Sequence, residues 1–191
     1  MITTLRKPVT LEDYRAIPWE GVSVELVNGQ VIEMPEPTKL HADIVNFLTV
    51  AINILIQSAQ LRLVCRSQVS VDIAAGTSRR PDLIVCTSDQ WEAIDPTGGA
   101  YFAIDNPPAL AIEVCSPGNK GTDLIDKRDE YALAGISEYW IVNPLDDYVL
   151  VLVLDGKAYR EHGEYRGEDG IDSPLLPGLE IGANQVLTSV Y

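Results

Sequence analysis

The stretch Ala109-Leu110-Ala111-Ile112-Glu113-Val114-Cys115 is an apolar, β-type run that carries a single acid, Glu113. A second acid, Asp82, begins the earlier run Pro81-Asp82-Leu83-Ile84-Val85. Burying a carboxylate among apolar strand residues is costly unless a cation or a hydrogen-bond donor compensates it. The chain places an acid in this way twice, and a helix that carries Lys127 follows. This arrangement predicts a site for a divalent metal ion.

Local patterns predict the elements before these strands. Residues 10–17 form a short helix with Thr10 as N-cap, because a threonine hydroxyl accepts a hydrogen bond from a free amide of the first turn. The Asn28-Gly29 pair between two β-prone runs predicts a hairpin over about residues 22–34. Residues 38 to about 58 carry an apolar stripe with the spacing of a helix. The stripe consists of Leu40, Ile44, Phe47, Leu48, Ala51, Leu55 and Ala59.

The remaining chain is mostly of strand type. Residues 61–73 predict one strand, with Leu63, Cys65, Ser67, Val69, Val71 and Ile73 on one face and Arg62, Arg66 and Asp72 on a solvent-facing surface. A strand over 81–86, a brief helix over 88–94 and a loop over 95–108 precede the central strand 110–115. A helix over 122–134, capped by Thr122 and ended by Gly135, leads to strands at 139–142, 148–154, 157–165 and 179–181. This order predicts an α+β (mixed α/β) fold around one central mixed β-sheet flanked by helices.

Composition and cysteine content limit the setting of the protein. The 191 residues suffice for one domain with a real core. No apolar run approaches the roughly 20 residues that cross a bilayer, and the N-terminal residues lack a signal-peptide core, so no membrane contact is expected. Cys65, Cys86 and Cys115 are odd in number and lie in apolar runs. They predict buried free thiols in a reducing cytoplasm.

The formal net charge of −14 argues against a general affinity for nucleic acid. Phosphate binding normally rests on Lys and Arg, which this chain has in short supply. Between residues 60 and 80 the balance is reversed, because four arginines accompany one acid: Arg62, Arg66, Arg79, Arg80 and Asp72. A basic strip near the predicted metal site remains compatible with an anionic substrate.

Two acids and a lysine are the groups that metal-assisted hydrolysis of a phosphodiester requires. A divalent ion lowers the pKa of bound water and neutralises charge that builds on the phosphate. Mg²⁺ takes oxygen ligands and is often held by one or two carboxylates. A nearby lysine can orient or activate the water, or stabilise the developing negative charge. Asp82, Glu113 and Lys127 supply this set if their strands are neighbours and the helix lies against the same strand end.

The order of these motifs resembles the PD-(D/E)XK nuclease superfamily. More closely, it resembles the Uma-two family of bacterial restriction endonucleases, long catalogued as a domain of unknown function. The matching pieces extend from about residue 10 to about residue 160; each is weak alone, and their joint order is fairly specific. They are Glu25-Leu26-Val27-Asn28-Gly29, His41, Pro81-Asp82-Leu83, Ile112-Glu113-Val114-Cys115-Ser116-Pro117, Asp123…Lys127…Tyr131 and Gly135-Ile136-Ser137-Glu138-Tyr139-Trp140-Ile141-Val142.

What the resemblance implies for the architecture is a single restriction-endonuclease-like domain over residues 1–191. The hairpin would occupy about 22–34, the catalytic core about 38–154, and the C-terminal strands and tail about 155–191. Nucleases of this kind usually act on DNA as dimers, so the resemblance also implies a DNA partner and a homodimer.

For the site, the resemblance implies that Asp82 and Glu113 bind Mg²⁺ or Mn²⁺ and that the backbone carbonyl of Val114 completes the metal shell. The sequence departs from the superfamily at one position, because Cys115 stands where the catalytic lysine is expected. A thiol cannot supply that positive charge. Lys127 on the following helix therefore becomes the candidate catalytic lysine.

Several candidate residues also have a plain structural interpretation. Glu25 is either a further catalytic acid or an outward-facing hairpin glutamate. Lys127 is either catalytic or the partner of Asp123 in a surface pair worth a few tenths of a kcal/mol. Asp82 is either a metal ligand or a turn residue after Pro81.

Four further residues are candidates for substrate binding: His41, Gln68, Arg79 and Arg80. His41 is equally compatible with a structural position, either at the cap of the helix or at the edge of the core. Two arginines in a turn are more often a solvated surface than a phosphate contact. Tyr131, Tyr139 and Trp140 are most simply core or dimer-interface aromatics.

The leading hypothesis is therefore a Mg²⁺-dependent endonuclease that acts on DNA. The first alternative is a binding or regulatory module that keeps the nuclease fold without cleavage, which the net charge and the missing strand lysine favour. A third hypothesis is a Mg²⁺-dependent hydrolase of a small phosphorylated molecule, which would tolerate the acidic surface better than duplex DNA would.

Overall fold

The structure is a computed structural model that describes residues 8–17, 19, 21–117 and 122–189, without the side chains of residues 122–125. Its helices are α1 (Leu11–Ala16), α2 (Lys39–Ser58), α3 (Ser88–Glu92), α4 (Thr122–Ala134) and α5 (Ala183–Thr188). Its strands are β1 (Val24–Val27), β2 (Gln30–Glu33), β3 (Leu63–Ser67), β4 (Ser70–Ala74), β5 (Thr77–Arg79), β6 (Leu83–Thr87), β7 (Tyr101–Phe102), β8 (Leu110–Val114), β9 (Glu138–Asn143), β10 (Tyr148–Asp155) and β11 (Ala158–Tyr165). The α+β class predicted from the sequence is confirmed.

A six-stranded mixed sheet in the order β11-β10-β9-β8-β6-β3 forms the centre of the protein. Strands β8 and β9 run parallel, and β6 pairs antiparallel with β8, where Leu83 lies opposite Ile112. This register brings the residue before β6, Asp82, to the end of β8. The two acids singled out from the sequence therefore lie on adjacent strands of one sheet.

The expectation of a single sheet was wrong. A second, five-stranded sheet has the order β2-β1-β5-β4-β7 and begins with the predicted hairpin, whose turn residues Asn28 and Gly29 have φ of 49° and 76°. The strand predicted over 61–73 is broken at Gln68, which has φ of 58°, so β3 and β4 belong to different sheets. The alternation of inward and outward residues that predicts a strand continues across this sharp turn. The sequence pattern therefore gave no sign of the break.

The break also changes the environment of Asp72. The sequence predicted a solvent-facing side chain, but Asp72 is only 2% exposed and forms an ion pair with Arg15 of α1. Arg15 also stacks on the ring of Tyr101, with its Cζ 3.7 Å from the ring centroid. Helix α1, capped by Thr10 as predicted, is thereby tied to the second sheet. Arg62 and Arg66 are exposed, as expected.

The two faces of the six-stranded sheet pack against different helices. Alternate residues of β8 point to opposite faces. Leu110, Ile112 and Val114 pack in the cluster that contains α2 and α5, whereas Ala111 packs with Tyr131 of α4. Glu113 follows the alternation of Ala111, so its side chain lies on the α4 face.

Helix α2 begins after the N-cap Thr38, close to the predicted start, but its buried stripe is rotated from the predicted one. Leu40 is 41% exposed, whereas Ile52 and Ile56 join Ile44, Phe47 and Leu48 in the core. Within the described residues, α2 is the one helix long and apolar enough to span a membrane by length and composition, although no apolar run of that length was predicted. Its buried face is part of the protein core, as in many core helices of soluble proteins.

The C-terminal region contains a helix that was not predicted. The expected strand at 179–181 is reduced to an isolated bridge between Gly170 and Gly182, and α5 follows directly. Val186 and Leu187 of α5 are buried. Helix α4 ends at Gly135 with φ of 86°, as predicted; the side chain of its proposed cap, Thr122, lies outside the described part of the chain.

Candidate active site

Glu113 and Lys127 form a buried ion pair at the end of the central strand. Lys127 Nζ donates a hydrogen bond to Glu113 Oε1 at 3.0 Å, and the Tyr131 hydroxyl donates to the same oxygen at 2.7 Å. Lys127 and Tyr131 are four residues apart on α4, so they occupy the same face of that helix. Lys127 is only 2% exposed, which excludes the interpretation that it is an ordinary surface partner of Asp123.

Glu25 lies in the same buried group, and its alternative as an outward-facing hairpin residue was wrong. Its Oε1 lies 3.4 Å from Lys127 Nζ and accepts a hydrogen bond from the backbone amide of Arg80 at 3.0 Å. The pairing of β1 with β5 places Glu25 beside Arg79, whose Nη1 donates to Glu25 Oε2 at 3.0 Å. The second sheet thus supplies a carboxylate to a site that is otherwise built on the first.

Arg79 is not part of a solvated turn. It is 4% exposed, and Glu130 of α4 accepts two of its hydrogen bonds, from Nε at 2.7 Å and from Nη2 at 3.0 Å. Together with the bond to Glu25, these bonds mean that Nε, Nη1 and Nη2 of Arg79 all donate to carboxylates of the protein. Buried ion pairs cannot be inferred from a sequence in which arginines resemble a surface turn, so Glu130 was missed.

Asp82 is positioned by the backbone of β8 and by a histidine. Its Oδ2 accepts a hydrogen bond from the Val114 amide at 2.7 Å and lies 3.1 Å from His41 Nε2. His41 is in the first turn of α2, where its own amide donates to the capping hydroxyl of Thr38 at 3.2 Å. His41 Nδ1 is buried with no hydrogen-bond partner among the described residues. The histidine therefore holds an acid of the site and is not itself the cap.

The charges of the group influence one another. Burial raises the pKa of Glu113 to about 7; Lys127 opposes this shift, while Asp82 and Glu25 add to it. Burial disfavours the charged form of Lys127. The attraction of Glu113 and Glu25 outweighs this effect of burial, so the pKa of Lys127 is raised. The hydrogen bond to Asp82 raises the pKa of His41. Lys127 therefore remains an ammonium ion, and the carboxylates would gain from a further cation.

A cavity of about 750 Å³ gives access to the acids. Asp82, Glu113 and Val114 line it at the end of the six-stranded sheet. Three of the four predicted substrate-binding residues, His41, Gln68 and Arg80, line it as well, and Arg79 does not. The remaining walls come from the hairpin and its flanks, the first half of α2 and the turn between β3 and β4.

The other residues considered from the sequence have structural positions. Tyr139 and Trp140 are fully buried, so they belong to the core. Tyr131 is also buried, but its hydroxyl contacts the site, which a core aromatic identified from the sequence could not reveal. Cys115 is a buried free thiol whose pKa burial raises to about 12, and Cys65 and Cys86 are also buried and free, as predicted.

Comparison with known proteins gives the family and the fold of the chain. The family profile described as "Putative restriction endonuclease" (Uma2) matches residues 11–185. The chain belongs to this family. A crystal structure from Anabaena variabilis ATCC 29413, described as "a putative nuclease belonging to DUF820", matches with a TM-score of 0.78 and 18% identity, covering 94% of this chain and 98% of that chain. This likeness shows the fold. No curated protein matches the sequence.

Membership of the Uma2 family confirms the resemblance seen in the sequence and supports a nuclease function in general. Restriction-endonuclease-like families generally use divalent metals, and the donors here fit a hard cation. Asp82 and Glu113 line the cavity, and carboxylate oxygens are ligands that Mg²⁺ prefers. Among the described residues no three His, Cys, Asp or Glu side chains converge as a metal cluster. Two carboxylates with water or substrate oxygens are nevertheless a common Mg²⁺ arrangement.

Proposed function

We propose that this Uma2 protein is a Mg²⁺- or Mn²⁺-dependent endonuclease that hydrolyses phosphodiester bonds in DNA. The observation that supports this most directly is the 3.0 Å contact between Lys127 Nζ and Glu113 Oε1, beside a cavity that Glu113 and Asp82 line. In this proposal Asp82 and Glu113, with the carbonyl of Val114, hold the cation. Lys127 supplies the positive charge that Cys115 cannot.

The bound cation would lower the pKa of a coordinated water and neutralise charge that builds on the phosphate. The chain's own residues keep the ligands in place. The Val114 amide and His41 fix the Asp82 carboxylate, and Tyr131 and Lys127 fix Glu113. Ligands held by such contacts are oriented before the substrate arrives.

Lys127 acts as a charge and a hydrogen-bond donor. The negative charges of Glu113 and Glu25 raise the pKa of Lys127, which favours its ammonium form. The Lys127 ammonium is buried against Glu113 and Glu25, so its positive charge acts on the site through the Glu113 carboxylate. Glu25, in turn, is a positioning residue that aligns Lys127, and Arg79 holds Glu25.

The test is cleavage of plasmid and single-stranded DNA by purified protein with Mg²⁺ or Mn²⁺. We expect cleavage that EDTA, Asp82→Ala and Glu113→Ala each abolish. Asp89→Ala is the matched control, because Asp89 is an exposed acid that forms an ion pair with Arg62 at the surface. Intact DNA, or equal cleavage by Asp82→Ala, would refute the proposal.

The alternative, a nuclease-fold module without catalysis, has specific support in the charge of the protein. The formal net charge is −14, and Cys115 in place of the usual lysine is buried. Calorimetric titration with Mn²⁺ separates the two hypotheses. A site of millimolar or better affinity that Glu113→Ala removes supports the enzyme, and no site at all supports the module.

A homodimer and a cytoplasmic location belong to the same proposal. Nucleases of this fold usually act in pairs, and three reduced, buried thiols suit a reducing compartment. Light scattering should then give twice the chain mass of 20.9 kDa. A monomer at micromolar concentration would remove the dimer from the proposal without affecting the metal site.

A further inference from the structure

The cavity beside Asp82 and Glu113 has the size of a pocket that encloses a small ligand. Its volume of about 750 Å³ falls within the ~300–1,000 Å³ typical of such pockets. Glu113 is 6% exposed, so a substrate has to enter the cavity to reach both acids. A nucleotide can enter a pocket of this kind when it is unpaired, whereas a paired nucleotide remains inside the helical stack.

The charge of the cavity wall does not suit a duplex. Proteins that bind duplex DNA commonly contact several phosphates with Lys and Arg. Among the described residues, Arg80 is the one lysine or arginine that lines this cavity, and the acids Glu36, Asp82 and Glu113 line it too. One guanidinium beside a cation site matches one or two phosphates, not a tract of them.

Arg80 has unused hydrogen-bonding capacity. Its backbone amide is bound to Glu25, but its Nε is buried with no hydrogen-bond partner among the described residues. A buried donor without a partner is uncommon and is costly in a finished structure. The Nε itself is inaccessible, so a phosphate in the cavity would meet Arg80 chiefly through its positive charge, on the wall that also carries Asp82.

An aromatic ring lines the same cavity. Trp19 is held by a hydrogen bond from its Nε1 to the Tyr14 carbonyl at 2.8 Å and by packing of its ring 5.6 Å from that of Tyr14. Proteins that bind single strands stack bases on aromatic side chains, and this contact is tolerant of sequence because every base has a π face. Trp19 is therefore suited to receive an unpaired base.

We propose that the cavity binds an unpaired stretch of nucleic acid, with one phosphodiester near Asp82 and Arg80 and a base stacked on Trp19. The inference rests on the proposed function, because it assigns a substrate class to the same site. Single-stranded DNA is then the preferred substrate. Duplex DNA is bound weakly, and it is cut where its strands separate.

The experiment measures binding and chemistry separately on the full chain. Fluorescence anisotropy reports binding of a labelled thymidine 12-mer and of the same oligomer paired with its complement, with Mn²⁺ and with EDTA. Hydrolysis of bis(p-nitrophenyl) phosphate reports phosphodiesterase chemistry without any base. Trp19→Ala, Trp19→Phe and Trp91→Ala are compared; Trp91 packs near Arg66 outside the cavity, with the Arg66 Cζ 5.0 Å from its ring centroid.

We expect the single strand to bind at least about ten-fold more tightly than the duplex, and Trp19→Ala to weaken this binding by about ten-fold. Trp19→Phe keeps a ring but loses the hydrogen bond to Tyr14, so it should lose less affinity than Trp19→Ala. Trp91→Ala should bind as the unmodified protein does, which separates stacking from a folding defect. Preference for the duplex, or equal binding by Trp19→Ala, would overturn the inference.

Failure of the proposed function has a different signature. Hydrolysis of the ester that depends on Asp82, without binding of either oligomer, would retain the phosphodiesterase and replace nucleic acid by a small phosphorylated substrate. Binding of the single strand that depends on Trp19, without hydrolysis of any substrate, would retain the inference and leave a non-catalytic module.

Discussion

Lys127 and Glu113 are fourteen residues apart in the chain, and their charged groups meet 3.0 Å apart inside the protein. Glu113 lies on the face of β8 that packs toward α4, and Lys127 and Tyr131 reach it from successive turns of that helix. Glu25 arrives from the second sheet to complete the environment of the ammonium. Lys127 thus reaches the end of β8 from a helix, while the strand itself continues into Cys115.

Lys127→Met removes the cation shared by Glu113 and Glu25 while keeping an unbranched chain. We expect the free energy of unfolding to fall by about 3–5 kcal/mol, because breaking a buried ion pair leaves charge without compensation. Nuclease activity should be lost. Urea denaturation and plasmid cleavage measure the two effects. Lys157→Met, at an exposed turn, should change neither, and identical behaviour of the two variants would contradict the role of Lys127.

Arg79→Met should destabilise the protein through the second sheet. Arg79 joins Glu25 to Glu130, so its loss leaves a buried carboxylate without its main partner. We expect a loss of about 3–5 kcal/mol in unfolding free energy and reduced cleavage, because Glu25 no longer aligns Lys127. Arg62→Met removes a pair that is exposed on both sides and should cost no more than about 1 kcal/mol. Equal destabilisation by the two substitutions would argue against a buried network.

Tyr131→Phe and Tyr139→Phe form a matched pair of hydroxyl deletions. The Tyr131 hydroxyl donates to Glu113 at 2.7 Å, so its loss should cost about 1.5–3 kcal/mol, as for other hydrogen bonds to charged groups. The Tyr139 hydroxyl is buried with no hydrogen-bond partner in the described chain, so its removal should be neutral or stabilising. Thermal and urea unfolding of both variants checks the difference, and the reverse order would be incompatible with this geometry.

Binding of Mn²⁺ should depend on pH near neutrality. Burial raises the pKa of Glu113 to about 7, so below this pH a proton occupies the carboxyl and must leave before the metal binds. Affinity should therefore rise by up to about ten-fold per pH unit below 7 and become constant above it. Calorimetry from about pH 5.5 to about pH 8.5, a range that brackets the change of charge on Glu113, measures the profile. A constant affinity across that range would exclude Glu113 as a ligand that binds protons in this way.

Much of the backbone could be predicted from local sequence. The Asn28-Gly29 turn, the cap at Thr10 and the stop at Gly135 each require a particular residue type, and each occurs where expected. The apolar flanks of Glu113 predicted a central strand, which is buried along its whole length. The prediction of elements failed at Gln68, where the strand pattern continues although the chain changes direction. It also failed at α5, because this helix follows a segment rich in turn-forming residues.

The sequence by itself predicted most of the strands, the main helices and the two acids of the candidate site, because backbone periodicity and an acid within an apolar run are properties of neighbouring residues. Only the tertiary structure decided that Lys127 lies between Glu113 and Glu25, and that Arg79 is buried between Glu25 and Glu130. Those contacts depend on how two sheets and α4 pack together. A charged side chain has the same local pattern on a surface as in a buried pair, and the difference comes from the partner that packing brings to it.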